Sequence, residues 1–345
     1  MTREDTTSAQ AAAHAAAWIE EGWNALEGGD IERAETACSH AEAATPDLPD
    51  CLHLRGAIAE ARGEADLALD LYQRAASADP EFPSPRLGAA GLLLDRGEVG
   101  AARELAEAAV ASAEDEERVE ALLICAEIAA TAGDGRATRK HLSDAAAAAR
   151  DPAQILAAAQ ALLDAGDPKG ARSAYERARE RGAAEADVHY GLGRIAEEQD
   201  DRDAMITHFL EVARLDRESP PDYRLTEEEF EKAAEEAMSE LPDQVVELLE
   251  NVPVLLDDAP SEDLIREGIE PRLLGLFTGV PLPEKSHVGG GETPHIDAVH
   301  LFRQNLERAY TDRDELVEQI RITVLHETAH FFGLEDDDLH RMGLG

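Results

Sequence analysis

Lysine is nearly missing from this 345-residue chain: only Lys140, Lys169, Lys232 and Lys285 occur, so arginine carries almost all the positive charge. Acidic residues outnumber basic ones by 74 to 32, a formal net charge of −42. An anionic polymer or lipid surface would be repelled over the whole molecule, which removes nucleic acid and membrane from the expected partners. Basic or neutral proteins and peptides stay open. Aromatic residues are only 4% of the chain while alanine is plentiful, a composition that argues against a β-sandwich and for closely packed helices. Cys38, Cys51 and Cys125 are odd in number and far apart, so neither a disulfide framework nor a CxxC metal site is expected; they read as small packing residues in a reducing compartment. The N-terminal segment lacks a basic stretch followed by a leucine-rich run, and no apolar run reaches membrane-spanning length. The expected location is therefore cytoplasmic. The length suits two folded units.

A repeat runs through the first of them. Gly29, Gly63, Gly97, Gly133, Gly166 and Asp200 stand 34, 34, 36, 33 and 34 residues apart. Five residues after each comes a column that is mostly small: Ala34, Ala68, Ala102, Thr138, Ala171 and Met205. Four further on comes a bulkier column, Cys38, Tyr72, Ala106, Leu142, Tyr175 and Phe209. A third column, Gly22, Gly56, Ala90, Ala126, Ala159 and Gly193, occupies the close-packing site of the first helix of each unit. Several columns in one register resemble the tetratricopeptide repeat family over residues 15–219, after an N-terminal tail of residues 1–14. The resemblance implies six helix pairs stacked into a solenoid, with a groove that takes a protein or peptide. Its lining would include Trp23, His53, Glu60, Glu127, Gln160, Tyr190, Arg194 and Glu197.

Ser219-Pro220-Pro221-Asp222 stops the last repeat, and residues 220–225 read as a linker to a separable domain at 226–345. Thr226 followed by Glu229 is a capping box that opens a helix through about Glu240, and Pro242–Glu250 reads as a second helix. Three short apolar runs, at 252–256, 273–277 and 296–302, suit strands, with a Gly-rich loop at 281–294 before the last. The strand ending at Phe302 is expected to hold an extended substrate by strand addition. A long helix should then begin near Thr311 and carry Leu316, Ile320, Val324 and Leu325 on its apolar face.

His326-Glu327-Thr328-Ala329-His330, late in that helix, is an HExxH motif. A spacing of four puts both imidazoles on one face, one turn apart, where they can share an ion, while Glu327 points beside them as a base. A catalytic zinc needs a third protein ligand and one open position. Gly333 can end the helix in a left-handed conformation and turn the chain back, and Asp336 follows three residues later. This is the metzincin spacing with Asp in place of the third His, which makes Asp336 the expected third ligand, with Glu335, Asp337, Asp338 and His340 as rivals. Met342, His287, His295, His300 and Tyr310 read as packing or solvated residues.

LLGLFTGVPL at 273–282, HLFRQNLER at 300–308 and TVLHETAHFFGLEDDDLHRMG at 323–343 resemble the minimal zincin-like metallopeptidase family of bacteria, from Leu225 to Gly345. The resemblance implies His326, His330 and Asp336 as zinc ligands and Glu327 as the base. The expected protein is mainly α, a TPR-like α-solenoid followed by a small α+β zincin-like domain. Its expected function is zinc-dependent hydrolysis of peptide bonds by a zinc-activated water, with the repeats for protein–protein interaction. The alternative is a catalytically inactive, zinc-stabilised scaffold or binding module.

Overall fold

The computed structural model describes residues 3–45, 48–239, 241, 249, 252–279, 297–334 and 341. Six antiparallel helix pairs come first: α1 (Arg3–Glu27) with α2 (Ile31–Ala44), α3 (Pro49–Ala61) with α4 (Ala65–Ala78), α5 (Ser84–Asp95) with α6 (Val99–Ser112), α7 (Asp115–Thr131) with α8 (Gly135–Ala148), α9 (Pro152–Asp164) with α10 (Pro168–Glu180), and α11 (Glu185–Glu198) with α12 (Arg202–Glu218). Helix starts at Arg3, so the segment expected as a tail forms the first turns of α1.

One backbone requirement explains the repeat. Each pair turns through a residue in the left-handed region: Gly29, Gly63, Gly97, Gly133 and Gly166 have φ between 71° and 77°, and Asp200, in the sixth copy, has φ 55°. There the first helix closes with two bonds, as where Gly63 N–H donates to Glu60 O at 2.8 Å and Glu64 N–H to Ala59 O at 2.9 Å. Asp is one of the few other residues that tolerates this region, which is how the sixth turn keeps its shape without glycine. The packing columns are complementary. A Cβ at Gly56 would lie 2.5 Å from the Tyr72 ring and one at Gly193 2.4 Å from the Phe209 ring, whereas Ala90 faces the column whose member is Ala106. In the second and sixth pairs the ring from the second helix takes the space a side chain on the first would need, whereas in the fifth Ala159 stands in the column opposite Tyr175.

The chain forms two compact units, Met1–Ala183 and Ala184–Gly345. In the first, Trp23, His53, Tyr72 and Phe82 cluster on repeats one to three, the His53 ring lying 4.9 Å from Trp23, 5.7 Å from Tyr72 and 5.2 Å from Phe82. Burial among them pushes the His53 imidazole down to about 4. The Tyr72 hydroxyl donates to Glu60 at 2.6 Å and the Tyr175 hydroxyl to Gln160 at 3.0 Å, so two expected groove residues are engaged by the solenoid itself. Cys38, Cys51 and Cys125 are free and buried, and burial pushes their thiols up to about 11, 12 and 11. At such values they are inert packing groups.

The second unit contains the sixth helix pair together with everything after it. The boundary expected at 220–225 falls inside this unit, and the segment is tied down at both ends. The buried Glu307 carboxylate accepts the Arg224 and Leu225 amides at 2.8 and 3.2 Å; Arg303 donates to Leu225 O at 2.7 Å, Arg313 to Arg224 O at 2.9 Å and Arg308 to Ser219 O at 2.9 Å. The capping box forms as expected and opens α13 (Glu227–Ser239): the Thr226 amide donates to Glu229 and the Glu229 amide to Thr226 Oγ1. With Arg313 also donating to it, the Glu229 carboxyl is held down to about 2. The expected helix at 242–250 lies outside the described residues apart from Leu249, as does the 281–294 loop.

A three-stranded sheet follows, β1 (Val254–Asp257), β2 (Gly275–Thr278) and β3 (Ala298–Phe302), in the order β1-β3-β2, with β3 parallel to β1 and antiparallel to β2. The central strand is therefore the one ending at Phe302. Its backbone groups are taken on both sides, which corrects the expectation that it holds a substrate; among the described residues β1 and β2 are the edges. Helix α14 (Glu262–Glu267) lies between β1 and β2, and α15 (Arg303–Ala309) and α16 (Arg313–Phe331) follow β3. Asp312 caps α16 by accepting the Asp314 and Glu315 amides. Phe230, Val299, Leu301, Leu306, Leu316, Ile320, Val324 and Phe331 form the core between α13, the sheet and α16. Each such side chain contributes about 1.5–3 kcal/mol on leaving water.

Candidate metal centre and catalytic base

His326 and His330 stand near the C-terminal end of α16, and their Nε2 atoms approach to 3.0 Å. What aims them is the turn that ends the helix. Gly333, at φ 79°, donates to His330 O at 2.9 Å, and the Leu334 amide reaches back to Ala329 O at 3.2 Å, the same closure that the repeats use at their glycines. The turn brings Leu334 O to 2.9 Å from His330 Nδ1. A carbonyl can only accept, so Nδ1 carries a proton, and in the neutral form of the ring Nε2 is the nitrogen with the lone pair. That is the tautomer a metal ligand needs. Two nitrogens each about 2.0–2.1 Å from a tetrahedral zinc stand roughly 3.3 Å apart, so the pair fits one ion after a small spreading of the rings.

Glu327, only 7% exposed, lies one step round the helix. Its Oε2 accepts the Phe277 amide at 2.8 Å. In the β2–β3 ladder Phe302 N–H donates to Leu274 O, so the backbone groups of Leu274 and Leu276 face β3 while those of Gly275 and Phe277 face outward. The Glu327 carboxylate is thus held by the outward-facing edge of β2. Gly275 makes this approach possible. A Cβ there would lie 2.6 Å from Thr323 Cγ2 and 2.9 Å from Glu327 Cγ, closer than packed atoms can sit. Phe277 then packs edge-on against Phe331, with ring centroids 5.8 Å apart.

Gly275, Phe277 and Thr323 were not among the sequence candidates. The available signal was a lone glycine inside the apolar run 273–277, a mark of close backbone approach. Asp336 and its rivals Glu335, Asp337, Asp338 and His340 lie outside the described residues, as do Met342, His287 and His295. Among the described residues no group of three His, Cys, Asp or Glu side chains is placed to hold a metal. His300 sits on the sheet face away from α16, between Asp257 at 2.7 Å and Thr278 at 3.2 Å. Tyr310 ends α15. No helix among the described residues is long and apolar enough to cross a membrane.

Stacked helix pairs with left-handed turns define a repeat solenoid, and a helix bearing the HExxH sequence packs on a small sheet after it. The family profiles agree in both places. The zincin-like metallopeptidase profile matches residues 249–345, one tetratricopeptide repeat profile matches 19–83 and 156–220, and another matches 59–124. The chain thus joins tetratricopeptide repeats to a zincin-like metallopeptidase domain. Solved structures similar to it include one titled for the functional characterization of Pseudomonas aeruginosa pilF, at 20% identity over 66% of this chain and 99% of that one, TM-score 0.46. TTC0263, a tetratricopeptide protein of Thermus thermophilus, matches at 18% identity over 53% and 97%, TM-score 0.41. YrrB, described as a tetratricopeptide protein with an unusual peptide-binding site, matches at 14% over 53% and 94%, TM-score 0.40. Comparison with curated proteins gives no match.

Proposed function

We propose that the chain is a zinc-dependent metallopeptidase whose repeats bind a protein partner or substrate. His326, His330 and Asp336 would hold the ion and Glu327 would be the general base. The observation that carries this reading is the convergence of two imidazole Nε2 atoms beside a carboxylate that the β2 edge holds in place. Zinc bound there supplies Lewis acidity toward the scissile carbonyl and lowers the pKa of water.

The protein's own groups do the rest. Glu327 accepts a proton from the attacking water and returns it to the leaving amine nitrogen, a role that needs its carboxylate ionised, close and fixed in direction. Burial keeps bulk water off it and the Phe277 amide fixes its direction. An extended peptide would lie along the outward edge of β2, where the Gly275 backbone groups and the Phe277 carbonyl face, rather than on β3. A zinc-stabilised binding module without turnover would use the histidines and an acid but has no use for a carboxylate held in this way. Three inert buried thiols fit a reducing compartment, and we place the protein in the cytoplasm on that ground.

Metal analysis of single variants tests the ligand set. His326→Ala, His330→Ala and Asp336→Ala should each lose the zinc that the wild type carries. Full occupancy in Asp336→Ala, with loss in His340→Ala, would move the third ligand to His340.

A further inference from the structure

The sixth helix pair belongs to the compact unit that holds the candidate site, and two anchors join it to the residues around that site. The first is Arg272, on the segment that leads into β2. Its guanidinium reaches both carboxylate oxygens of Asp216 on α12, at 2.9 and 3.1 Å, and Asp187 on α11 at 2.7 Å, and it lies 5.2 Å from the centre of the Tyr190 ring. Arg272 and Asp216 are largely shielded, with side chains 20% and 12% exposed. Arg308 on α15 donates to Asp216 O and Ser219 O. In the second anchor, Arg202 at the start of α12 donates to the carbonyls of Arg266 and Glu267 at the end of α14, while Ile265 packs fully buried with Ala196, Met205 and Phe209. The peptidase portion thus covers the last repeat, as a terminal cap does in other arrays.

Arg272 stands three residues before Gly275 and five before Phe277. Between them the chain has little freedom: Asn305, buried, donates to both Pro271 O and Leu273 O, and Leu274 O accepts the Phe302 amide. Residues 271–277 therefore form a short, doubly held link. One end is fixed on the sixth repeat and the other meets Glu327 through the Phe277 amide and the Gly275 backbone.

We infer that Arg272 is a positioning residue for Glu327: by fixing β2 to Asp216 and Asp187 it sets where the edge strand meets the base, so the last repeat is part of the catalytic apparatus. Tyr190, read from the sequence as a groove residue, is then partly occupied by the enzyme's own arginine. The inference rests on the metallopeptidase reading for its catalytic half and on geometry alone for its structural half.

The test uses the full-length, zinc-loaded chain with Arg272→Gln, Arg272→Lys and the milder Asp216→Asn. Hydrogen exchange of residues 275–278 should speed up in Arg272→Gln, while the core of α16 around Ile320 and the zinc content stay as in the wild type. On a peptide the wild type cleaves, kcat should fall roughly 10- to 100-fold, the usual effect of misplacing a catalytic group by about 1 Å, with KM changed little. Arg272→Lys keeps the charge without the two-pronged contact and should recover part of both effects. Unchanged exchange at 275–278 in Arg272→Gln overturns the inference. So does faster exchange throughout α16 in both Arg272→Gln and Asp216→Asn, since the cluster would then hold the fold generally rather than the strand. If the wild type cleaves nothing, the metallopeptidase reading fails, and the exchange comparison still decides whether Arg272 sets the strand.

Discussion

Replacing Gly275 by alanine adds one methyl group at the closest contact in the candidate site. The new Cβ would meet Thr323 Cγ2 at 2.6 Å, Glu327 Cγ at 2.9 Å and Glu327 Oε1 at 3.2 Å, all on α16. Neither neighbour can easily withdraw. Thr323 is fixed by its hydroxyl, which donates to Gln319 O at 2.8 Å, and Glu327 is held by the Phe277 amide. The strand must shift outward, at the usual overpacking cost of about 1–3 kcal/mol. For a unit the size of residues 184–345 this corresponds to a fall in Tm of roughly 2–12 °C. Calorimetry on the full chain would read it as an earlier transition of the unit containing the site. Thr323→Ser removes Cγ2 but keeps the hydroxyl that bonds to Gln319 O, so Gly275→Ala/Thr323→Ser should melt later than Gly275→Ala alone. A wild-type Tm for Gly275→Ala, or no relief from the serine, would refute the close-packing argument.

Three further outcomes follow from the same geometry. Because burial depresses His53 to about 4 from an ordinary 6.5, the unfolded chain binds the proton first; the stability this neutral ring contributes is present above pH 6.5 and is lost as the pH falls toward 4, by about 3 kcal/mol. Urea midpoints of wild type and His53→Phe should therefore diverge over that window, and parallel curves would contradict the assignment. A fragment beginning at Ala184 should fold, whereas one beginning at Asp222 loses the Arg272 contacts to Asp187 and Asp216 and exposes Ile265, otherwise buried with Met205 and Phe209, and should be less stable by about 1.5–3 kcal/mol; equal melting of the two would refute this. Gly193→Ala would place a methyl 2.4 Å from the Phe209 ring and should destabilise the sixth pair by about 1–3 kcal/mol, read as a lower Tm of the second unit.

What could be read in advance follows from which interactions are local. The six turns were legible because each needs a left-handed residue at a fixed offset from two helices, and Asp200 fits the column for the same reason as the glycines. The histidine pair was legible because a spacing of four on a helix leaves little choice of geometry. The capping box at Thr226 and Glu229 is likewise a contact within one turn. Strand order is not local: alternation marks β3 as a strand, but only its partners make it central and leave β2 at the edge. Residues 220–225 carry two prolines and look like a spacer, yet the backbone of Arg224 and Leu225 is bonded by Glu307, Arg303 and Arg313, which lie 78 to 89 residues away. Arg272 was one arginine among many until the fold brought Asp187 and Asp216 to it.

The central claim is that Glu327 acts as a base beside a zinc ion rather than as one of its ligands. Glu327→Gln keeps the size of the side chain and can still accept the Phe277 amide, but it cannot take a proton at neutral pH. The decisive measurement pairs zinc content with turnover for wild type and Glu327→Gln on one cleaved peptide. The account predicts about one zinc per chain in both proteins and a turnover lower by roughly 100-fold or more in the variant. Equal turnover, or a wild type that binds no zinc, would contradict it.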